Sequence, residues 1–298
     1  MPWSPCSAKP YPGIGAHWRG RFGQPVRRIG LDPGFPCPHR DPVTGAGCAF
    51  CVPDAFTAPE ALSGAGRPVA EQLAAGIERL RRKGVHRFAA YFQPRTTTNA
   101  PLPDLTAAWD AAASAPGVVA LCVGTRPDCV EDPVLDLLAG YTDRLEVWLE
   151  LGLQSARDST LAALNRGHDA GQFADACRRA RSRGLLVCAH VILGLPGEDP
   201  ADECRTAEVL AGLGVEGVKL HQLAIVRGTP LEVLWSGGEL AVLEEAQYIE
   251  RAAAFCRRLA PSTVLHRLVG DTPADRLLAP HYNKGRAVTA IRERLGAG

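Results

Sequence analysis

From Val26 onward, short β-branched or apolar runs alternate with longer segments of helical period, and this alternation restricts the chain more than any other feature. Repeated βα units of this kind wrap a parallel sheet with helices on its outside. The spacing predicts strands over residues 26–31, 86–92, 118–123, 145–151, 185–193 and 217–225. Helices are expected over 69–83, 105–113, 133–140, 158–164, 172–184 and 201–213. Gly84, Gly184 and Gly214 each stand where a helix closes just before a strand, so apolar period and capping glycine mark the same register. Six strands imply an α/β fold with an open, partial (β/α)6 barrel.

The expected organisation is an N-terminal extension over residues 1–25, the partial barrel over 26–226 and a C-terminal α/β extension over 227–298. Arg227-Gly-Thr-Pro230 interrupts the alternation, and a helix over 240–259, a short strand over 264–267 and a terminal helix follow. The 298 residues suit one barrel domain with extensions, since such barrels use about 250 residues. A formal net charge of +1 sets up no global field that would announce a nucleic acid or a membrane surface. No apolar run is long enough to span a bilayer and Met1 to Pro12 lacks a signal-peptide core, so the expected location is cytoplasmic, with no membrane partner.

A reducing compartment disfavours disulfides, which leaves metal binding as the explanation for clustered cysteines among the ten present. Cys122, Cys129, Cys177, Cys188, Cys204 and Cys256 are scattered among Ala, Val and Leu and read as small buried hydrophobes. Cys6 lies in a Pro-rich leader and receives no role. The informative stretch is Cys37-Pro-His-Arg-Asp-Pro-Val-Thr-Gly-Ala-Gly-Cys48-Ala-Phe-Cys51, directly after the first predicted strand. It sits at a strand's C-terminal end, where barrel enzymes place their chemistry. Three thiolates can hold three irons of a [4Fe-4S] cluster and leave the fourth iron open to a chelating ligand. The same spacing admits a zinc knuckle with His39 as fourth ligand. Structural zinc usually staples a domain that lacks a core, which a barrel does not need.

On these residues the sequence resembles the radical S-adenosylmethionine (SAM) superfamily, and within it the YhcC/YtqA-like group. The turn Asp32-Pro-Gly-Phe-Pro-Cys37-Pro38 matches that group's Asp-x-Gly-Phe-x-Cys-Pro, ahead of a long-spaced cysteine loop. The likeness continues through Thr125-Arg-Pro-Asp128, Glu150-Leu-Gly-Leu-Gln154-Ser155, Asn165-Arg-Gly-His168, Gly194-Leu-Pro-Gly-Glu198, Lys219-Leu-His221, Arg227-Gly-Thr229 and His266-Arg-Leu268. The same blocks look like the radical SAM half of the elongator catalytic subunit, whose acetyltransferase half has no counterpart in these residues. Departures are modest: His39 stands where Asn is common, and the loop after Asp41 is less glycine-rich.

The resemblance implies a [4Fe-4S] cluster on Cys37, Cys48 and Cys51, with SAM on the open iron. It implies SAM contacts from Gln154 and Arg166, and an amine contact from Gln93 at the end of the second strand. Of Thr125 and Arg126, one would meet cofactor and the other substrate. Gly194, lacking a Cβ, would let the backbone approach the adenine. His190 aligns with a position facing the cofactor, and a hydrogen-bonded core histidine is the competing reading. Phe50 would shield the cluster or touch the adenine, against ordinary loop packing. The implied partners are a tRNA substrate, modified on the carbon 5 side chain of its wobble uridine, and an electron donor such as flavodoxin or ferredoxin. The YtqA-like group looks like enzymes that convert a carboxymethylaminomethyl group there to an aminomethyl group. The competing readings are a radical SAM enzyme on another substrate and a non-catalytic, metal-stabilised binding protein.

Overall fold

The structure, a computed structural model, describes residues 10–52, 55, 57 and 59–296; Cys6 lies outside the described residues. Strands β1 (Val26–Leu31), β2 (Arg87–Phe92), β3 (Val118–Thr125), β4 (Glu146–Gln154), β5 (Leu186–Leu193) and β6 (Gly217–Gln222) are followed by β7 (Ile225–Val226), β8 (Val264–Arg267) and β9 (Leu277–Ala279). One parallel sheet runs β1-β2-β3-β4-β5-β6-β8, and β7 pairs with β9 in a separate antiparallel ribbon. The helices are α1 (Ile14–Phe22), α2 (Pro59–Gly64), α3 (Val69–Arg81), α4 (Leu102–Ala113), α5 (Asp132–Ala139), α6 (Asp158–Ala163), α7 (Ala170–Ser182), α8 (Pro200–Leu213), α9 (Pro230–Ser236), α10 (Glu245–Cys256) and α11 (Lys284–Arg294). This is the expected α/β partial barrel.

Strands buried on both faces explain the near-continuous apolar runs. In β4 all nine residues are buried. Val147, Leu149, Leu151 and Leu153 face the main core, while Trp148 joins Ala89, Tyr91, Ala120, Cys122 and Cys188 in a second, inner cluster. The two sets alternate along the strand, as the pleat requires. The glycine punctuation also holds. The amides of Gly84, Gly184 and Gly214 bond back to Arg81, Arg181 and Ala211 at 2.9, 3.0 and 3.0 Å, each with φ between 67 and 78°. Asp169 and Asp199 cap α7 and α8 through reciprocal capping boxes.

Three features depart from the sequence expectation. Residues 264–267, placed in the C-terminal extension, form β8 and pair in parallel with β6, so the barrel sheet has seven strands. The connection through α10 is the βα crossover that makes this parallel pairing reachable. The run 217–225 is split, because β6 ends at Gln222 and β7 turns away to pair with β9. The leader contains α1, which buries only His17 and Trp18. Trp18 Nε1 donates to Glu146 Oε1 at 2.7 Å, as does Trp148 Nε1 at 2.6 Å, and His17 and Arg21 reach Oε2 at 3.0 and 2.9 Å. Glu146 begins β4, so α1 plugs the N-terminal end of the barrel.

Candidate active site

The segment from Cys37 to Cys51 is held as a shaped loop. Asp41 Oδ1 accepts from the Val43 and Thr44 amides at 2.9 and 2.6 Å, which makes a tight Asx-type turn. Arg40 donates to the Cys51 carbonyl at 2.6 Å. Asn165 Nδ2 donates to the Gly47 carbonyl at 2.9 Å, and the Ala49 amide to the Leu164 carbonyl at 2.9 Å. Ahead of the loop, Asp32 Oδ1 accepts the Gly34 amide at 2.8 Å, and its carboxylate pairs with Arg95 at 3.2 Å. The aspartate and glycine of the sequence turn are therefore a hydrogen-bonded unit that aims Cys37 at the barrel mouth.

One cavity runs from this loop into the barrel and is lined by Cys37, Cys48 and Cys51 together with Phe50, Gln93, Thr125, Gln154, Arg166 and His190. Of the residues singled out in the sequence, Gly194 alone stands outside this lining. Its amide donates to Glu203 Oε1 at 2.7 Å, and an added Cβ would meet Leu243 at 2.9 Å. Arg166 Nη1 points at Cys48 Sγ at 3.4 Å, and Nη2 donates to the Gly152 carbonyl at 3.0 Å. A Cβ on Gly152 would lie 2.5 Å from Arg166 Nη2 and 2.8 Å from Gln154 Nε2, so the missing side chain makes room for both. Gln154 has φ 74° where β4 slips register against β5, a strained non-glycine conformation of the kind that clusters at ligand sites. The Thr125 hydroxyl meets Thr98 Oγ1 at 2.6 Å, and Arg126 pairs with Asp128 at 2.9 Å.

Several donors in this wall have no protein partner. Gln93 Nε2, Thr96 Oγ1, Arg126 Nε and Nη1, and Arg166 Nε are buried without a hydrogen bond, and all belong to lining residues. Buried donors left unmade are costly. Their convergence beside three thiols suits a ligand rich in acceptors and negative charge, as inorganic sulfide and a carboxylate are. The three thiols are also spread too widely for one zinc ion. Tetrahedral Zn–S bonds of about 2.3 Å place sulfurs about 3.8 Å apart. Among the described residues, the only set of three or more His, Cys, Asp or Glu side chains with ligand atoms all within 4.8 Å of one another is Glu150, Cys188 and His190. His39 Nε2 instead bonds the Asn165 carbonyl. The spread of the thiols and the orphaned donors fit a polynuclear cluster with a polar organic ligand.

Beneath this layer lies a buried polar network. Glu150 Oε2 accepts from Tyr91 Oη and Lys219 Nζ, both at 2.9 Å, and from His190 Nε2 at 2.8 Å. Its Oε1 accepts from Arg28 Nη2 at 2.9 Å, with His266 Nδ1 at 3.4 Å. Burial alone would raise the Glu150 carboxyl, but Lys219 and Arg28 hold it well below the usual carboxylate range. Burial pushes Lys219 down to about 8 against the pull of Glu150. It pushes His190 down to about 4, with Lys219 adding to the effect. The Glu150, Cys188 and His190 trio is therefore no cation site, since two fixed cations already occupy its carboxylate. Sequence reading gave Tyr91, Glu150, Lys219 and Arg267 no role at the site, although the last three lie in blocks of the family match.

Residues 37–210 match the Radical SAM superfamily and residues 215–296 the Radical_SAM C-terminal domain. The chain belongs to the radical SAM superfamily. It is 44% identical over 268 residues to Protein YhcC of Escherichia coli K12, covering 89% of this chain and 85% of that protein. A tRNA uridine(34) acetyltransferase of Methanocaldococcus infernus is 29% identical over 185 residues, which is 60% of this chain and 34% of that protein. The solved structure of the archaeal M. infernus Elp3 superposes with a TM-score of 0.70 at 19% identity, covering 92% of this chain and 64% of that one. Its fold is the one seen here. The chain is thus an enzyme of a superfamily whose cofactors are a [4Fe-4S] cluster and SAM. All nine described cysteines are free thiols, with Cys122 and Cys188 in the inner core and Cys177 and Cys256 in the main core.

Proposed function

We propose that this enzyme modifies tRNA at the carbon 5 side chain of the wobble uridine, with its cluster held by Cys37, Cys48 and Cys51. The observation that carries the cofactor assignment is the one cavity in which three thiols face five partnerless donor atoms on Gln93, Thr96, Arg126 and Arg166. The tRNA assignment is supported by similarity to a tRNA uridine(34) acetyltransferase over 60% of this chain. The chemistry the bound group supplies is one-electron cleavage of the SAM sulfonium to methionine and a 5′-deoxyadenosyl radical that takes a hydrogen atom from substrate.

The chain's own residues bind, orient and seal. Arg166, fixed between Gly152 and Cys48, is placed to meet a carboxylate near the cluster. Gln93, just past the end of β2, and Gln154, at the end of β4, offer amides from either side of β3 for the amino acid and ribose parts of SAM. Phe50 lines the cavity and packs against the apolar cluster of Leu164, Ile192 and Leu195, which anchors this end of the loop. Thr125 and His190 complete the wall, and Gly194 lets the backbone turn behind it with φ 83°. The electron is expected from a flavodoxin or ferredoxin.

Two measurements test the reading. Anaerobically reconstituted protein should hold about four irons with labile sulfide and release 5′-deoxyadenosine from SAM under reductant. Mass spectrometry of tRNA nucleosides from a deletion strain and its parent should differ at a wobble uridine. Identical profiles for every modified nucleoside would remove the tRNA assignment and leave the cofactor assignment standing.

A further inference from the structure

The inner end of the cavity carries more positive charge than its single carboxylate can match. Glu150, fully buried, contributes one negative charge and is bonded by two cations, the buried Lys219 and the partly buried Arg28. Its oxygens already accept bonds from Tyr91 and His190 as well, so no further acceptor capacity answers the second cation. Arg267 adds a third cation to the same wall. Its one acidic neighbour, Asp271, is 3.7 Å away and exposed, and that carboxylate takes both its close bonds from Lys284. Arg267 is the register partner of Lys219 across the β6–β8 pair, and both line the cavity beside His190 and His221.

The histidines do not supply the missing anion, and they add donors. His190 and His221 stand with ring centroids 5.8 Å apart, and both line the cavity. Burial, with Arg267 second, keeps His221 well below its usual value, so it is a neutral imidazole able to donate. The SAM-side donors lie elsewhere. Gln154 is four residues beyond Glu150 on β4, a rise of about 13 Å along a strand, and Arg166 is pinned there against Cys48.

We propose that Lys219, His221 and Arg267 form a pocket for a carboxylate on the substrate, at the far end of the cavity from the cysteine loop. A monoanion offsets the net single charge of the Arg28, Lys219 and Glu150 group. A planar carboxylate also matches the fork of the Arg267 guanidinium. A phosphodiester of a nucleic acid backbone does not suit the site, because it would have to leave the rim and enter the barrel with its flanking sugars. The proposal deepens the enzymatic reading above and rests on it only in taking the ligand to be substrate.

The test is equilibrium dialysis of the cluster-loaded enzyme saturated with SAM. The probes are 5-carboxymethyluridine and its amide 5-carbamoylmethyluridine, acetate and acetamide, and uridine 5′-monophosphate. The acid of each pair should bind about tenfold tighter than its amide, the effect of one charge-assisted contact. That preference should fall to under about threefold in Arg267→Gln and in His221→Asn, with iron content and SAM affinity unchanged. An acid no tighter than its amide in both pairs overturns the proposal, as does a preference that survives both substitutions. The monophosphate binding as tightly as the acid overturns it in favour of a phosphate site, and tenfold weaker SAM binding by Arg267→Gln reassigns the pocket to SAM. Acetate preferred over acetamide without any preference between the nucleosides keeps the carboxylate pocket and removes the uridine reading, so the two fail separately.

Discussion

Replacing Glu150 with Gln keeps the shape of the side chain and removes its charge, which isolates what that charge does for the fold. Arg28 and Lys219 then face each other across a site with no anion, Lys219 buried and Arg28 partly so. Breaking a buried pair by removing one partner costs about 3–5 kcal/mol, because the remaining charge is left without compensation. For a chain of 298 residues, unfolding entropy of about 0.6 kcal/mol per kelvin converts this to a melting temperature lower by about 5–8 °C. The deficit depends on pH in a defined direction. Lys219 already titrates at about 8, and Glu150 is what holds it up against burial. Without Glu150 it falls further, so the variant bears the charged lysine only at lower pH. The difference between variant and parent is therefore largest at low pH, where both hold the charged lysine, shrinks once pH passes the variant's lowered lysine value, and stays constant above about 8, where the parent's lysine is neutral too. Urea denaturation followed by circular dichroism at pH 6 and pH 9 measures both effects. Glu150→Gln within about 1 kcal/mol of the parent at both pH values, or a deficit that grows at pH 9, would refute the reasoning. Adding Lys219→Met to the variant should recover part of the loss at pH 6.

Cys37→Ala, Cys48→Ala and Cys51→Ala should each abolish iron retention, whereas Cys122→Ala and Cys188→Ala should leave it intact, as measured by iron and labile sulfide after reconstitution. Gln154→Ala and Arg166→Ala should weaken SAM binding on the order of tenfold in equilibrium dialysis while keeping most of the iron; unchanged affinity in both removes them from the site. Gly152→Val should do the same indirectly, since its side chain would displace the Arg166 and Gln154 ends that lie 2.5 and 2.8 Å from an ideal Cβ. Burial holds His168 and His190 at about 4 and His266 at about 3. The unfolded chain takes up protons near pH 6.5 before the folded one does, so stability is lost as pH falls below 6.5. With His221, which burial also keeps well below its usual value, the loss should approach about 5 kcal/mol per pH unit for four such groups, and a urea midpoint that does not move between pH 7 and pH 5 contradicts their neutral burial.

The strands and the cysteine loop were legible because their signals are local. Six of the seven barrel strands follow from apolar runs bounded by glycine, and Gly84, Gly184 and Gly214 mark the register in sequence and structure alike. β8 escaped assignment to the barrel because four residues carry little period, and its place beside β6 depends on α10 as a crossover. α1 escaped because its buried side is only His17 and Trp18, too few for an apolar stripe. The polar network was illegible for another reason: Tyr91 and Lys219 meet Glu150 across separations of 59 and 69 residues. A weaker signal was present. Glu150 between Leu149 and Leu151, and Lys219 between Val218 and Leu220, are charges inside strands that bury both faces, and such charges must find partners across the barrel.

The plug and the polar network together constrain how a large substrate can be used. The sheet is open, with β1 and β8 as its edges, but α1 packs against both of these strands and ties the leader to β8 through the Gly13 and Leu265 bridge. The gap is thus covered at the N-terminal end, where Glu146, Trp18 and Trp148 lock the plug in place. Entry is left to the C-terminal mouth, beside the cysteine loop. For the tRNA substrate proposed above, an extruded base and its side chain are the parts that would enter the cavity. A base taken out of its stack loses stacking energy, so the interior must return favourable contacts. In the carboxylate pocket proposed above, Lys219 and Arg267 would do so, at the end of the cavity that a side chain entering past the cysteine loop would reach last.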